Sequence, residues 1–168
     1  MSSKEHRKSA PKTATIGILT VSSTRTLADD QSGNWIAKRA RKEKYDVLFQ
    51  EVIPDNKAII RETVLDCIRR HTPDAILITG GTGISSKDVT IEAIHPMLDK
   101  ELTAFGCLFS QLSFEQIDSA ALLSRATAGV SGKTLLFCMP GSLAACRLAC
   151  KMLIFPELGH MIKHLFEP

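Results

Sequence analysis

The order of hydrophobic and polar residues along the chain predicts strands that alternate with helices. Residues 15–21 form a continuous apolar run typical of a strand buried on both faces. Residues 47–53 form a second, mixed run that is predicted as a strand ending at Pro54, and a third run, which is apolar, covers 75–78. Between the first two runs, Asp30 can cap a helix in which apolar residues from Trp35 to Ala40 recur at helical spacing. The first half of the chain is therefore predicted to alternate strand with helix.

The second helix and the remainder of the chain follow the same alternation with more interruptions. Asp55 is well placed to cap that helix, which ends before Pro73 and whose apolar stripe is expected at Ile59, Ile60, Val64, Leu65 and Ile68. Further along, the predicted elements are a helical segment over 94–109 interrupted at Pro96 and Gly106, a helix over 114–123, strands over 126–130 and 134–139 joined by a hairpin at 131–133, a helix opened by Pro140-Gly141-Ser142 that runs through Ile154, and a last helix from Pro156.

This alternation indicates an α/β fold, a three-layer sandwich whose mostly parallel sheet gains an antiparallel strand from the hairpin. The 168 residues are enough for one ordinary domain with a substantial core. We therefore predict a flexible basic tail over residues 1–13 and a single domain over 14–168. The tail alone carries the formal net charge of +3, so the predicted domain is neutral and nucleic acid is not an expected partner.

The sequence favours neither export nor membrane insertion. The apolar run after the basic tail is not followed by a small-x-small cleavage motif, as a signal peptide would be. A membrane-spanning helix needs about 20 apolar residues, and no apolar run approaches that length. The five cysteines lie in apolar segments without a metal-binding pattern and are expected to be buried free thiols of a cytoplasmic protein. His160 and His164 form an i, i+4 pair, which is more often a surface feature than a metal site.

The most informative stretch lies between residues 74 and 93, where an apolar strand is followed by TGGTG, Lys87 and Asp88. Its glycines allow positive φ or close approach of a ligand, and the exposed N–H groups of such a turn can bind phosphate. The same glycines can also serve only to turn the chain. Two nucleotide-binding motifs fail. Gly132-Lys133-Thr134 precedes a strand instead of opening a helix, and the TGGTG stretch lacks the third glycine of a dinucleotide fingerprint.

Four loops are expected at the carboxyl edge of the predicted sheet, where parallel α/β sheets bind ligands. They cover residues 22–25, 54–55, 79–88 and 140–142 and contain hydroxyls, glycine amides, an arginine, a lysine and two carboxylates. This mixture suits a phosphorylated ligand with Mg²⁺, which takes one or two carboxylates and completes its shell with water and phosphate oxygens. Taken singly, each of the two aspartates could equally be a helix cap.

Several of these residues occur together in a known family. The chain contains, in order, Asp30 with Ser32 and Gly33, Pro54-Asp55, TGGTG at 79–83 followed by Asp88, Ala104-Phe105-Gly106, Ser124-Arg125 and Pro140-Gly141-Ser142. These motifs resemble the MogA/MoaB family of molybdenum-cofactor biosynthesis, to which gephyrin and the plant Cnx G domains belong. The resemblance runs from Thr15 to Ile154, nearly the whole predicted domain.

The resemblance implies a molybdopterin-binding α/β fold that assembles as a homotrimer or as a dimer of trimers, a homohexamer, for which Phe105, Phe109 and Phe114 are candidate contacts. It also implies Mg²⁺- and ATP-dependent adenylylation of molybdopterin with release of pyrophosphate, the activity of a nucleotidyltransferase. By position, Asp55 and Asp88 correspond to the catalytic and metal-binding acids of the family. The positions implied for binding molybdopterin and its phosphate are Ser22, Arg25, Thr79, Gly80, Gly81, Thr82, Gly83, Pro140, Gly141 and Ser142.

The chain departs from the family pattern at two positions. Thr24 stands where many relatives carry an acid before the arginine, and Ile91 replaces the usual proline of the Asp-Val-Thr-Pro-Glu-Ala run. The altered first loop motivates an alternative function, a non-catalytic molybdopterin-binding carrier or assembly subunit that works with other cofactor-biosynthesis proteins. A purely structural oligomeric module is a third hypothesis. Some family members bind without detectable catalysis and lack an acid at the position of Asp55, so the presence of Asp55 here favours an enzyme.

Overall fold

Six strands form one sheet in the computed structural model, which describes residue 11 and residues 13–167 of the chain. The predicted basic tail therefore lies outside the described residues except for Pro11 and Thr13. The strands are β1 Thr15–Val21, β2 Asp46–Ile53, β3 Ala75–Thr79, β4 Lys100–Glu101, β5 Thr127–Ser131 and β6 Thr134–Met139.

Within the described residues, six α-helices connect and cover these strands. They are α1 Gln31–Lys42, α2 Lys57–His71, α3 Thr90–Ile94, α4 Thr103–Ile117, α5 Leu143–Ala149 and α6 Phe155–Phe166. Short 3-10 turns follow α3 and α4 at His95–Met97 and Asp118–Leu123, and a π-helical turn at Cys150–Ile154 joins α5 to α6.

The strand order is β2-β1-β3-β6-β5-β4. Strands β2, β1, β3 and β6 pair in parallel, whereas β5 is antiparallel to both β6 and β4. The prediction of a mostly parallel sheet with an antiparallel strand from the hairpin is confirmed. The strand that follows β1 in the chain, β2, pairs on one side of β1, and the next strand, β3, pairs on its other side. The direction of strand order therefore reverses at β1, which makes β1 the topological switch point of a doubly wound sheet.

Two apolar clusters cover the two faces of the sheet, as the alternation of side chains along a strand requires. Ile18 and Leu77 belong to the cluster that packs against α1, α4, α5 and α6. Leu19, Ile76 and Ile78 belong to the cluster that packs against α2 and α3. Helices cover both faces of the sheet, which explains why the central strands are continuous apolar runs. The predicted three-layer sandwich is confirmed.

The expected helix caps at the two aspartates are wrong. The cap of α2 is Asn56, whose side-chain oxygen accepts hydrogen bonds from Ala58 N at 3.0 Å and Ile59 N at 3.1 Å. Helix α3 begins after Val89 without a side-chain cap, so Asp88 does not cap it either. Both carboxylates are therefore available for contacts other than helix capping.

The predicted helix boundaries after residue 94 are also wrong. Strand β4 was not predicted, α4 continues through Gly106, and α4 ends at Ile117 instead of reaching residue 123. A Cβ at Gly106 would lie 2.7 Å from the Ala126 carbonyl oxygen. This glycine is thus required for close packing of α4 against a distant segment and does not interrupt the helix.

Burial corrects three sets of expectations. Cys107 is exposed, whereas the other four cysteines are buried, and all five are free thiols. Phe105 and Phe109 are buried in the core of this chain, so they are not available as oligomer contacts, whereas Phe114 is 57% exposed. Within the predicted apolar stripe of α2, Ile59 and Leu65 are exposed. None of the helices in the described part of the chain is long and apolar enough to cross a membrane.

Candidate functional site

The carboxyl ends of the four parallel strands lie side by side. Thr20 of β1 pairs with Thr79 of β3, and Thr79 pairs in turn with Met139 of β6. On the other side of β1, Val21 pairs with Ile53 at the end of β2. All four predicted loops therefore leave the sheet at one edge, beside the switch point at which α/β sheets bind ligands.

Asp55 joins the loop after β2 to the loop after β1. Its Oδ2 accepts hydrogen bonds from Ser23 N and Ser23 Oγ, both at 2.7 Å, and Asp55 N donates to Ser23 Oγ at 3.1 Å. Its Oδ1 lies 3.3 Å from the position that a Cβ at Gly81 would occupy. One carboxylate oxygen is thus fixed by the first loop, and the other faces the glycine turn.

The glycine turn adopts the conformation that favours glycine at two positions, with φ +92° at Gly80 and +62° at Gly81. A Cβ at Gly80 would lie 2.3 Å from the Val21 carbonyl oxygen, so no side chain fits there. Thr90, which is fully buried, holds the turn from α3 because its Oγ1 donates to Gly80 O at 2.8 Å and its N–H donates to Gly81 O at 2.9 Å. Thr90 is not among the predicted site residues, because its contacts to the turn depend on the folded chain.

Only part of the glycine turn can receive an anion through its amides. The N–H of Gly80 donates to Met139 O at 3.0 Å, and the N–H of Gly83 is directed at the Asp88 carboxylate. The described residues provide no hydrogen-bond acceptor for the N–H groups of Gly81 and Thr82. Adjacent backbone N–H groups of this kind form an anion-binding concavity.

Asp88 lies on the far side of the same turn. Its Oδ2 accepts a hydrogen bond from Ser85 N at 2.8 Å and lies 2.8 Å from the position of a Cβ at Gly83. Hydrogen bonding from Ser85, then from the backbone N–H of Gly83, and the charge of Arg125 hold the pKa of the Asp88 carboxyl below its ordinary value, although partial burial opposes them. Asp88 is therefore a carboxylate at neutral pH.

Arg125 clamps the turn from the carbonyl side. Its Nε donates to Thr82 O at 3.0 Å and to Gly83 O at 3.1 Å, and its two terminal nitrogens donate to Glu92 at 2.5 and 3.3 Å. The bond from Arg125 lowers the pKa of Glu92, so this pair is ionised at neutral pH. The sequence contained the Ser124-Arg125 motif as a signal, but the contact to the turn crosses more than 40 residues and could not be read from it.

The loop after β6 is fixed against the first loop. Arg25 Nη1 donates to Gly141 O at 3.3 Å, and Ser32 Oγ donates to the same oxygen at 2.9 Å. A Cβ at Gly141 would lie 3.1 Å from the Gly80 Cα, so this glycine permits contact between two loops of the site. Ser142 Oγ accepts from Ala145 N at 3.2 Å and thereby caps α5.

Two more of the predicted binding residues use their hydroxyls inside the protein. Thr79 is buried, and its Oγ1 donates to Pro140 O at 3.3 Å. Ser22 Oγ accepts the N–H groups of Thr24 and Arg25 at 3.3 and 3.2 Å, which folds the first loop. These contacts shape the loops, and the groups left to face a ligand are backbone amides, Arg25 and the two aspartates.

Asp30 is a further residue at this edge that the predicted site did not include. It is fully buried; its Oδ2 accepts from Thr20 Oγ1 at 2.6 Å, and its Oδ1 accepts from Gly33 N at 2.9 Å. A Cβ at Gly33 would lie 2.0 Å from Asp30 Oδ2, so the glycine is required for this contact. Asp30 thus fixes the start of α1 to the end of β1.

The donor set fits Mg²⁺ held between protein and phosphates. Asp55 and Asp88 approach opposite ends of the turn at Gly81 and Gly83. Among the described residues, no three His, Cys, Asp or Glu side chains come together as a metal-binding group. Mg²⁺ is commonly held by one or two carboxylates with water and substrate phosphates in its remaining positions. The buried Thr82 Oγ1 has no hydrogen-bond partner within the described part of the chain, so this turn also has an unsatisfied polar group.

The chain is similar to known proteins over the residues that form this edge of the sheet. A profile of the family described as "probable molybdopterin binding domain" matches residues 17–160, which include all four loops. Molybdenum cofactor biosynthesis protein B of Bacillus cereus is 44% identical over 162 residues, 96% of each chain. The protein of the same name from Escherichia coli is 43% identical over 143 residues, 85% of this chain and 84% of the other.

Solved structures give the same result. A crystal structure of molybdenum cofactor biosynthesis protein B superposes with a TM-score of 0.89 at 43% identity and covers 93% of this chain and 98% of that one. The tungsten cofactor synthesizing protein MoaB from Pyrococcus furiosus superposes with a TM-score of 0.85 at 35% identity, covering 94% of this chain and 100% of that one. The fold is therefore similar in these proteins.

Proposed function

The chain belongs to the MogA/MoaB family of probable molybdopterin binding domains, and on this premise we propose that it transfers the adenylyl group of Mg-ATP to molybdopterin. In the proposed reaction, an oxygen of the terminal phosphate of molybdopterin attacks the α-phosphorus of ATP. A new oxygen–phosphorus bond forms, the bond between the α-phosphorus and the bridging oxygen to the β-phosphate breaks, and pyrophosphate leaves. The products are adenylyl-molybdopterin and pyrophosphate.

The side chains at the sheet edge suit this chemistry because little proton transfer is needed. A phosphate nucleophile is already anionic at neutral pH, so catalysis depends on alignment and on neutralising charge. The N–H groups of Gly81 and Thr82 would receive the terminal phosphate of molybdopterin. The Arg25 guanidinium, which donates to Gly141 O at 3.3 Å, would add positive charge from the neighbouring loop. Arg125 and Thr90 would keep these amides in place from behind.

Asp55 and Asp88 are the residues that would hold Mg²⁺ on the ATP phosphates. Bound Mg²⁺ neutralises the charge of the phosphates at the reacting centre. Asp55 offers Oδ1 while Ser23 fixes its Oδ2, and the lowered pKa of Asp88 keeps that carboxyl ionised. The observation that carries the proposal is that these two carboxylates, neither of them a helix cap, flank a turn with two amides for which the described residues provide no hydrogen-bond acceptor.

Pyrophosphate release distinguishes the proposed adenylyltransferase from a second candidate function, a non-catalytic molybdopterin carrier. A non-catalytic molybdopterin carrier is favoured by Thr24, which replaces an acid of many relatives in the loop that fixes Asp55. We expect molybdopterin to bind the wild-type protein both with and without Mg-ATP, and stoichiometric pyrophosphate to appear only with Mg-ATP. Molybdopterin binding without pyrophosphate would establish the carrier and exclude the adenylyltransferase.

We also propose that this single molybdopterin-binding domain self-associates. Five large apolar side chains on α4 and the following 3-10 turn are exposed, and we group them under the name α4 apolar patch: Leu108, Phe114, Ile117, Leu122 and Leu123. Exposed apolar clusters of this kind are typical of interfaces, and the family resemblance implies a trimer or hexamer. The proposed location is the cytoplasm, where the five free thiols would stay reduced.

A further inference from the structure

The ion pair between Glu92 and Arg125 joins two distant segments of the chain beside the glycine turn. Glu92 lies on α3, and Arg125 lies between the 3-10 turn at Asp118–Leu123 and β5. Arg125 Nη1 donates to Glu92 Oε1 at 2.5 Å, and Arg125 Nη2 donates to Glu92 Oε2 at 3.3 Å. Two parallel bonds of this kind fix the orientation of a guanidinium group as well as its position.

The remaining N–H of the same guanidinium holds the glycine turn. Arg125 Nε donates to Thr82 O at 3.0 Å and to Gly83 O at 3.1 Å. The N–H groups of a guanidinium lie in one rigid plane, so the direction of the Nε–H bond is set once both terminal nitrogens are bound to Glu92. A lysine ammonium has no such plane and could not bind both partners in this fixed relation.

The peptide group between Thr82 and Gly83 extends this contact to Asp88. In a trans peptide group, the carbonyl oxygen and the N–H point in opposite directions. While Arg125 holds Thr82 O, the N–H of Gly83 is directed at the Asp88 carboxylate, which accepts its hydrogen bond. The approach is close, because a Cβ at Gly83 would lie 2.8 Å from Asp88 Oδ2.

We propose that Glu92 is a positioning residue for Asp88, acting through Arg125 and the Thr82–Gly83 peptide group. The inference rests on the proposed function, in which Asp88 holds Mg²⁺ on the ATP phosphates. In this role Glu92 does not contact the substrates and fixes only the group that orients the carboxylate. Because phosphoryl transfer depends on alignment, a small displacement of Asp88 lowers the rate.

Stability alone does not account for this arrangement. The side chains of Arg125 and Glu92 are 36% and 43% exposed, and ion pairs with such exposure contribute little to the free energy of unfolding. What the pair determines is the direction of the Arg125 Nε–H bond, and through it the Gly83 N–H. Breaking the pair should therefore affect Asp88 more than it affects unfolding.

Glu92→Gln in the full chain tests the proposal, because glutamine keeps the shape of glutamate but only one oxygen that can accept from Arg125. We expect kcat for pyrophosphate release from Mg-ATP and molybdopterin to fall about tenfold, and KM for molybdopterin to change by less than about twofold. Glu92→Asp keeps the charge and both acceptor oxygens, so it should retain more of kcat than Glu92→Gln. Urea unfolding would verify that both variants are folded.

Asp66→Asn is the matched control. The Asp66 carboxylate is 40% exposed and pairs with Arg70 within α2, so this variant also breaks a half-exposed ion pair with an arginine. We expect it to leave kcat unchanged. A second readout is independent of catalysis: the Gly83 amide proton signal in nuclear magnetic resonance spectra, which a charge-assisted bond to a carboxylate moves to low field. It should move back toward high field in Glu92→Gln and stay in place in Asp66→Asn.

The two readouts separate this inference from the proposed function. An unmoved Gly83 signal in Glu92→Gln would overturn the inference whether or not the wild type is active. If the wild type releases pyrophosphate, an unchanged kcat in Glu92→Gln would overturn it as well. A wild type that releases no pyrophosphate would contradict the proposed function, and a shifted Gly83 signal in Glu92→Gln would then still support the positioning of Asp88 by Glu92.

Discussion

Substitution of Gly81 by alanine tests how the candidate site is built. Gly81 has φ +62°, and a Cβ there would lie 2.4 Å from Thr90 Oγ1 and 3.2 Å from Val21 Cγ1. Thr90 Oγ1 is fully buried and donates to Gly80 O at 2.8 Å. The added methyl group would therefore displace the hydroxyl that holds the glycine turn.

Two terms determine the expected loss of stability. A non-glycine residue at positive φ costs about 1–2 kcal/mol. Displacing Thr90 Oγ1 from its buried acceptor costs a further about 1–3 kcal/mol. We expect Gly81→Ala to lower the free energy of unfolding by about 2–5 kcal/mol, the sum of these terms.

Gly132→Ala is the matched control. Gly132 has φ +60°, and a Cβ there would meet no atom within 4 Å, so only the backbone term applies. Its expected loss is about 1–2 kcal/mol. The assay is urea unfolding of both variants, together with molybdopterin binding. Binding should weaken in Gly81→Ala because the clash with Thr90 Oγ1 shifts the turn that carries the N–H groups of Gly81 and Thr82.

A double-mutant cycle isolates the steric term. In a Thr90→Ala background the clashing oxygen is absent, so Gly81→Ala should be less destabilising by about 1–3 kcal/mol. The reasoning is refuted if Gly81→Ala and Gly132→Ala lose the same stability, or if Thr90→Ala leaves the effect of Gly81→Ala unchanged.

Three further predictions concern charge, assembly and thiol reactivity. Ser85→Ala removes the side-chain hydrogen bond that is the largest cause of the low pKa of Asp88, and it keeps the bond from Ser85 N. The carboxyl should then protonate at higher pH, and the acidic limb of the pH–rate profile should move to higher pH; an unmoved limb would contradict this. Leu122→Asp, at the most exposed member of the α4 apolar patch, should lower the mass measured by light scattering, whereas Leu48→Asp on β2 should not; equal masses would argue against this interface. Iodoacetamide should modify Cys107 alone in the native protein, because burial raises the pKa of the other thiols, that of Cys67 to about 11; a second adduct would be inconsistent with the buried thiols.

The central strands and their loops could be predicted because both faces of the sheet are covered. Strands buried on both sides are continuous apolar runs, and β1 has the predicted bounds, 15–21. The position of the four loops then follows from the parallel order, since the carboxyl ends of parallel strands meet at one edge. Local pattern is sufficient for these features.

Features decided by distant contacts could not be predicted. Asp55 and Asn56 are equally good caps by composition, and the choice between them depends on Ser23, 32 residues away, which binds the Asp55 carboxylate. From the sequence alone, Gly106 indicates a helix break. Only the folded chain shows that the glycine is there because the Ala126 carbonyl packs closely against it. In the same way, Arg125 is related to the glycine turn only in the folded chain.

Pyrophosphate release from Mg-ATP and molybdopterin tests the central claim most directly, with Asp55→Ala and Asp88→Ala compared to the wild type. Asp46→Ala is the matched control. Asp46 is exposed at the start of β2, and the amino ends of the parallel strands lie opposite the carboxyl ends that carry the site. We predict that the wild type and Asp46→Ala release pyrophosphate, and that each site variant loses at least about 100-fold in rate while circular dichroism shows a folded chain. Site variants that keep the wild-type rate would contradict the account.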